Sequence, residues 1–157
     1  MYEIEKKYNV FLNNIKNLKL LREYYIEQNY IYYKDDFQIR LRKVKIENNH
    51  NYILTIKKGK GEIRKEFEFK LSKKEYNKKE RLLQSKNLSP IKKIRREYEF
   101  NNKVIEVDIF KNPNKYTFAE IEFNSIDDMN KFDKPNFLGK EVNISNIDIW
   151  KSMNDLN

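Results

Sequence analysis

The stretch Tyr2-Glu3-Ile4-Glu5-Lys6-Lys7-Tyr8-Asn9-Val10 decides how the rest of the chain is interpreted. Side chains on a β-strand point alternately to its two faces, so Glu3, Glu5 and Lys7 share one face. Two carboxylates held about 7 Å apart offer oxygen ligands to a hard cation such as magnesium, and the lysine beside them can meet an anion carried by that cation. A charged strand face that is exposed to water gives the same pattern, so this stretch alone leaves both interpretations open.

The same alternation returns in most of the later strands, and there the charges segregate by strand. Same-sign pairs two residues apart are acidic at Glu3/Glu5 and Glu120/Glu122 and basic at Arg40/Arg42 and Lys93/Arg95. Like charges this close repel, so each pair needs an offsetting partner: a metal for the carboxylates and a polyanion for the cations. A barrel that turns these faces inward would line a tunnel with both signs, while its apolar faces would pack outward against helices.

Eight strand candidates, mostly joined by hairpins, predict an α+β fold: an eight-stranded antiparallel β-barrel, a tunnel, with flanking helices. The strands are expected at residues 2–10, 30–33, 37–44, 52–57, 63–69, 91–98, 104–110 and 117–123. Apolar spacing or capping residues predict helices at 13–27, at 72–86, after Ser125 and at 147–153. Turns are expected at 27–29, leading into the aromatic strand, at 48–51 and at 137–142.

Composition limits the class of protein. The 157 residues suffice for one core, and no Pro-, Gly- or Ser-rich linker divides them, so a single domain over residues 1–157 is expected. The net charge of +9 favours polyanionic partners. No apolar run could span a bilayer and the charged start is unlike a secretory signal, so no membrane partner is expected. The absence of cysteine excludes thiol catalysis and zinc–thiolate sites and fits a cytoplasmic location. The single histidine, His50, lies in a predicted turn, which argues against a serine–histidine mechanism.

These residues resemble the CYTH domain family, also called the triphosphate tunnel metalloenzymes. The hallmark of that family is an N-terminal Glu-x-Glu-x-Lys strand, matched by Glu3, Glu5 and Lys7. The likeness covers nearly the whole chain, because further motifs follow in the family's order: Gln28-Asn29-Tyr30-Ile31, Ile39-Arg40-Leu41-Arg42, Leu54-Thr55-Ile56-Lys57, Arg64-Lys65-Glu66-Phe67-Glu68, Lys93-Ile94-Arg95, Glu106-Val107-Asp108, Ala119-Glu120-Ile121-Glu122 and Leu138-Gly139-Lys140-Glu141-Val142.

The resemblance implies an eight-stranded tunnel that binds a triphosphate and a divalent metal. The opening Ile4-Glu5-Lys6-Lys7-Tyr8 and the short length most resemble the small bacterial tripolyphosphatase-like branch. Other branches hydrolyse thiamine triphosphate, nucleoside triphosphates or RNA 5′-triphosphate ends, or cyclise ATP to cyclic AMP. Two departures stand out: Asn29 replaces the family's usual glycine, and the segment 146–151 lacks the branch's common Arg-Tyr-x-Asn pattern. The identity of the triphosphate and the oligomeric state, with a homodimer as one option, stay open.

The resulting hypothesis is metal-assisted hydrolysis of inorganic tripolyphosphate to pyrophosphate and phosphate. The substrate would be bound by Lys7, Arg40, Arg42, Lys57, Arg64, Lys93 and Arg95. Magnesium or manganese would be held by Glu3, Glu5, Asp108, Glu120 and Glu122, with Glu66 and Glu68 as supporting tunnel acids. Lys7 and Tyr30 are the catalytic candidates, Tyr30 as a proton acceptor whose pKa would have to fall beside the basic cluster.

A rival hypothesis from another class is a non-enzymatic module that binds RNA or polyphosphate. Basic strands and aromatic residues such as Tyr32 and Tyr33 permit it. The acidic pairs argue against it, because they would repel a phosphate backbone unless metal were bound. Nucleic acid is therefore expected as a partner only through a triphosphate end.

Overall fold

The computed structural model describes residues 1–156, in which nine strands form one antiparallel sheet. The strands are β1 Tyr2–Val10, β2 Lys19–Lys34, β3 Phe37–Ile46, β4 Asn49–Lys58, β5 Ile63–Leu71, β6 Ile91–Phe100, β7 Lys103–Asn112, β8 Thr117–Glu122 and β9 Leu138–Glu141. A 3₁₀ turn and the helices lie between and after them: the turn at Leu12–Ile15, α1 Lys73–Ser85, α2 Ile126–Asn130 and α3 Asn146–Met153. Asn157, the last residue of the predicted domain, lies outside the described residues.

The sheet closes into an eight-stranded barrel, which confirms the predicted fold. Hydrogen-bonded neighbours follow the order β5-β4-β3-β2-β6-β7-β8-β1, and β1 pairs back onto β5. The closing edge of β1 is shared between two strands: Tyr2, Glu3 and Ile4 pair with β5, while Tyr8 and Val10 pair with the short β9. The opposite edge of β1 pairs with β8 from Glu5 to Asn9. Barrel closure therefore runs through the same strand that carries the Glu-x-Glu-x-Lys stretch.

Alternation places charged side chains inside the barrel and apolar side chains outside, where the helices cover part of them. One buried cluster, around Val107 and Ile121, lies on the outside of β1, β7 and β8 next to α2. A second holds Trp150 of α3, and a third packs Tyr76 and Leu83 of α1 on Leu41 of β3. The hydrophobic core is therefore distributed around the barrel wall, which leaves the interior free for polar groups.

The helices and strands also show where the sequence pattern was right. The capping box at the start of α1 is present, because Glu75 N–H donates to Ser72 Oγ at 3.1 Å and Ser72 N–H to Glu75 Oε2 at 3.2 Å. Serines likewise cap α2 and α3, through Ser125 and Ser145. The predicted helices at 72–86, after Ser125 and at 147–153 are thus confirmed. Within residues 1–156, no helix is both long and apolar enough to cross a membrane.

Four local predictions were wrong. The helix at 13–27 is a 3₁₀ turn followed by the first part of β2, because this run pairs with β3 and β6 and tertiary pairing overrides its helix-like spacing. The turn at 27–29 is continuous β2 for the same reason. The hairpin turn lies at Glu47 and Asn48, so His50 is already in β4, opposite Lys45. The turn at 137–142 contains β9.

Gly139 lets β9 lie against β1, and this contact gives a test of the fold. A Cβ atom at Gly139 would lie 2.9 Å from the Asn9 carbonyl oxygen, so Gly139→Ala must push β9 away from β1. We expect it to lower the free energy of unfolding by about 1–3 kcal/mol, measured by urea denaturation. The exposed neighbour Lys140 is the control, and Lys140→Ala should stay within about 0.5 kcal/mol of wild type. Equal unfolding midpoints for both variants would contradict the close packing.

Candidate functional site

A cavity of about 860 Å³ occupies the barrel interior, and every barrel strand contributes to its lining. The inward-facing residues are Glu3, Glu5 and Lys7 of β1, Tyr30 of β2, Gln38, Arg40 and Arg42 of β3, Lys57 of β4, Arg64, Glu66 and Glu68 of β5, Arg95 of β6, Glu106 of β7, and Glu120 and Glu122 of β8. The structure thus brings together the predicted site residues except Lys93 and Asp108, which do not line the cavity.

The two acidic strands, β1 and β8, are neighbours with their carboxylates in register. Glu5 lies opposite Glu122, and Lys7 lies opposite Glu120. Burial and the nearby charges of Glu120 and Glu3 raise the pKa of Glu5 to about 9. Burial would raise the pKa of Glu120 as well, but the charges of Lys7, Arg95 and Lys93 together outweigh it and lower that pKa to about 2. This wall therefore holds more carboxylates than its local cations neutralise.

Two cations from neighbouring strands bridge to this acidic wall. Lys57 Nζ lies 3.1 Å from Glu3 and 3.3 Å from Glu66. Arg64 is hydrogen-bonded to Glu5. Burial alone would raise the pKa of Glu3, but a hydrogen bond from Glu66 and the Lys57 charge hold it below its usual range. Both cations are placed where an anionic ligand could attract them away from the carboxylates.

The opposite wall, on β3, is cationic and incompletely neutralised. Arg40 is 5% exposed, and its Nε has no hydrogen-bond partner among the described residues. Arg42 donates to Gln28 Oε1 at 2.8 Å through its terminal nitrogen. Burial and the charges of Arg40 and Arg95 lower the pKa of Arg42 to about 10, which still leaves it cationic at neutral pH. Closely spaced buried cations of this kind favour an anionic ligand.

Tyr30 is placed at the cavity, but its environment does not suit a proton acceptor. Its hydroxyl accepts a hydrogen bond from Gln28 Nε2 at 2.7 Å, and its ring lies 5.4 Å from that of Trp150. Burial raises the pKa of Tyr30 despite the nearby charges of Arg40 and Arg42. The fall in pKa that a proton-acceptor role would require is therefore not seen, because removing the phenol from water outweighs the cations around it.

Lys93 and Asp108 form a buried ion pair inside the barrel, and neither residue lines the cavity. Lys93 Nζ lies 2.7 Å from Asp108 Oδ2, and Arg95 binds both Asp108 oxygens at 2.7 and 2.8 Å. Burial lowers the pKa of Lys93 to about 7. Asp108 is thus bound by Lys93 and Arg95, and neither Lys93 nor Asp108 lines the cavity, so their roles as substrate ligand and metal ligand stay predictions.

Residues 142–147, which follow β9, also line the cavity, although none of them was predicted as a site residue. Lys7 Nζ donates to the Ile144 carbonyl at 3.0 Å, so this segment fixes one of the predicted catalytic side chains. Glu68 and Glu122 are exposed at the cavity, unlike the buried Glu120. Gln38 and Glu106 also line it; alternation places them on the faces of Arg40 and Asp108, but neither was predicted as a site residue.

The carboxylates can be tested against the divalent metal that the sequence predicts. Within residues 1–156, no three acidic or histidine side chains are already gathered as a metal site. The donor set nevertheless suits an oxygen-preferring cation, because Glu3, Glu5, Glu120 and Glu122 come from two adjacent strands and supply oxygen ligands only. The pKa of Glu5 is raised first by burial and then by the neighbouring charges of Glu120 and Glu3, which a bound cation would offset. The ligand atoms of these residues therefore suit magnesium or manganese. Two of the four acids are ion-paired in this structure, Glu3 with Lys57 and Glu5 with Arg64.

Comparison with known proteins gives one family. A family model described as the CYTH domain matches residues 1–143. A search of curated proteins finds no match.

Solved structures share the fold at low sequence identity. The inorganic triphosphatase NE1496 is 23% identical, with a TM-score of 0.59 over 92% of this chain and 88% of that one. The PH1819 protein of Pyrococcus horikoshii OT3 is 17% identical, with a TM-score of 0.69 over 96% and 98% of the two chains. A putative adenylate cyclase from Vibrio parahaemolyticus is 19% identical, with a TM-score of 0.54 over 82% and 79%.

The buried Lys93–Asp108–Arg95 cluster gives a test that separates a structural role from a metal-binding one. Asp108→Asn leaves two buried cations without their shared carboxylate. We expect a loss of about 3 kcal/mol in the free energy of unfolding, the low end for a buried ion, because Arg95 keeps Glu106. Urea denaturation measures it, and Glu99→Gln, which removes an exposed carboxylate, should change stability by less than about 0.5 kcal/mol. Unchanged stability together with lost metal binding would restore Asp108 as a ligand.

Proposed function

This chain belongs to the CYTH domain family, and we propose that it is a metal-dependent triphosphatase that hydrolyses inorganic tripolyphosphate to pyrophosphate and phosphate. One observation carries the proposal: a closed barrel places an under-neutralised cationic wall opposite an acidic wall across one cavity. A linear polyanion that carries a divalent cation complements both walls at once. An apolar ligand or a bare anion would complement only part of this lining.

The cations of the cavity would bind the phosphates. Arg40 and Arg64 each have a buried Nε without a partner among the described residues, so both have a donor to offer. Arg42 and Arg95 are oriented by Gln28 and by Asp108. Arginine donates through a planar fork that matches phosphate oxygens. Lys57 would exchange its carboxylate partners for phosphate as substrate enters.

Glu3, Glu5, Glu120 and Glu122 would hold the metal. When bound, magnesium or manganese supplies polarisation of the phosphoryl oxygens and lowers the pKa of water. Glu66 and Glu68 lie on the neighbouring strand β5 as supporting acids, and the side chain of Glu66 reaches Lys57. Asp108 is left out of this set and serves instead to hold Lys93 and Arg95.

In the reaction, water would add to the terminal phosphorus, the bond to the bridging oxygen would break, and pyrophosphate would leave with the electron pair. The proton of the water would pass to a phosphate oxygen of the products. The cations supply charge stabilisation and positioning, the main protein contributions in phosphoryl transfer. Lys7, fixed by the Ile144 carbonyl and 3.7 Å from Glu120, would meet a phosphoryl oxygen. Tyr30 would orient Gln28 and hence Arg42, and we assign it no proton transfer.

The first test is metal dependence. We expect phosphate release from tripolyphosphate to stop after exhaustive chelation and to return with magnesium or manganese, because the proposed ligands are carboxylates only. ATP, thiamine triphosphate and pyrophosphate in parallel define the substrate, and cyclic AMP from ATP would identify a cyclase instead. Full activity without metal would remove the metal from the proposal. Tight RNA binding with a steep salt dependence and no hydrolysis would favour the binding-module alternative.

A second test concerns the cationic wall. Arg40→Ala removes a buried, under-partnered cation that faces the cavity, so we expect the KM for tripolyphosphate to rise by roughly tenfold or more, from the loss of a charge-assisted hydrogen bond. Lys45→Ala on the same strand is the matched control, because Lys45 is exposed and does not line the cavity. Steady-state kinetics with a thermal melt of each variant measures the effect. Equal KM values for the two variants would place substrate elsewhere.

A further inference from the structure

An apolar row crosses the outer face of the barrel on four neighbouring strands. Strand register places Tyr32 of β2 opposite Ile39 of β3, Ile39 opposite Ile56 of β4, and Ile56 opposite Phe67 of β5. Residues that lie directly opposite share one face of a sheet. The next residues along these strands, Arg40, Lys57 and Glu66, point into the barrel, so alternation directs the row outward. Phe67 also borders the cavity, and its ring lies on the outer face beside Lys65. We call Tyr32, Ile39, Ile56 and Phe67 the outer row.

The outer row is uncovered within the described residues. Tyr32 and Phe67 are each 46% exposed, and Phe69, two residues further along β5, is 50% exposed. Helix α1 covers the neighbouring part of the sheet instead, where it buries Leu41 against Tyr76 and Leu83. Singly exposed apolar residues are ordinary, but a contiguous apolar patch on a folded domain marks an interaction surface.

The two ends of the outer row differ in shape. At one end, a shallow groove of about 720 Å³ is lined by Tyr32, Phe37 and Ile39 and rimmed by Lys34, Lys58, Asp35 and Asp36. At the other end, Phe67 stands exposed on β5, two strands away from Ile39 and so roughly 10 Å across the sheet. One face of the molecule thus presents both an aromatic ring and an aromatic-lined groove.

We propose that a second copy of this chain docks on the outer row through a two-fold axis near Ile56. A two-fold interface is self-complementary, so each partner must present both halves of every contact. With the axis at Ile56, Phe67 of each copy enters the groove beside Ile39 of the other. Lys65 lies beside Phe67 on the same face, and the groove that Phe67 would enter is rimmed by Asp35 and Asp36, so the rim offers opposite charge to the approaching copy.

The exposed aromatic area is of the size that such a dimer needs. At 150–250 Å² for a whole aromatic side chain, Tyr32, Phe67 and Phe69 together expose roughly 210–355 Å². A standard interface buries about 800 Å² on each partner, of which about 65% is apolar in homodimers. Three side chains would therefore supply about half of the apolar area, and the partly exposed aliphatic residues beside them add to it.

The first experiment measures self-association. We expect sedimentation equilibrium to show a monomer–dimer equilibrium for the wild-type chain. Phe67→Ser should raise its dissociation constant at least tenfold, because each substitution acts twice in a two-fold dimer. Tyr25→Ser is the matched control: Tyr25 is 54% exposed on β2 but lies outside the outer row, and its substitution should leave the constant within twofold. A wild-type chain that stays monomeric up to about 1 mM, the weak end of specific association, would overturn the proposal.

A second experiment tests the geometry without relying on loss of binding. The chain has no cysteine, so introduced thiols are unique. Phe67→Cys and Ile39→Cys proteins, mixed and oxidised, should form a heterodimeric disulfide faster than either forms a homodimeric one. Phe67→Cys mixed with Tyr25→Cys gives the background rate. Heterodimer formation at that background rate would refute the ring-in-groove arrangement, even if the protein dimerises by another face.

Discussion

The basic side of the cavity depends on one buried carboxylate, Asp108. Lys93 and Arg95 come from β6 and point into the barrel, where an ammonium and a guanidinium in low dielectric would repel each other and lose hydration. Asp108 lies directly opposite Arg95 in the strand register and bonds both cations. Its pKa is held well below the usual range by those cations, although burial would raise it. Because this negative charge is fixed, Arg95 is presented to the cavity in one orientation.

Period-two alternation made the barrel fold and most of the cavity lining predictable. The pattern identified which face of each strand carries charge, and the segregation of Glu3/Glu5 from Arg40/Arg42 implied a closed sheet. The role of Asp108 could not be inferred, because a sequence shows which residues share a face but not which strand lies next to which. For the same reason, the contacts of Lys57 with Glu3 and Glu66, which join β4 to β1 and β5, could not be predicted. The first half of β2 was missed because its apolar spacing suits a helix as well as a strand that pairs on both edges.

The departure of Asn29 from the family's glycine has a structural counterpart in the C-terminal helix. Trp150 Nε1 donates to Asn29 Oδ1 at 3.1 Å, and the Trp150 ring packs against Tyr30 and Tyr33. The Tyr30 hydroxyl in turn accepts a hydrogen bond from Gln28 Nε2, and Gln28 Oε1 accepts one from Arg42. A side chain at position 29 therefore ties α3 to the residues behind a cavity arginine. The divergent tail and the unusual Asn are parts of one arrangement.

The shared edge of β1 links barrel closure to ligand binding. The closing seam runs through Tyr2, Glu3 and Ile4 against β5, and Glu3 at its centre is also one of the cavity acids. A ligand that engages Glu3 and Arg64, which are opposite each other across that seam, crosslinks β1 to β5 as it binds. Opening of the seam and release of such a ligand are then thermodynamically linked, so ligand binding stabilises the closed seam. Amide protons along β1 and β5 should accordingly exchange with solvent more slowly as the cavity fills.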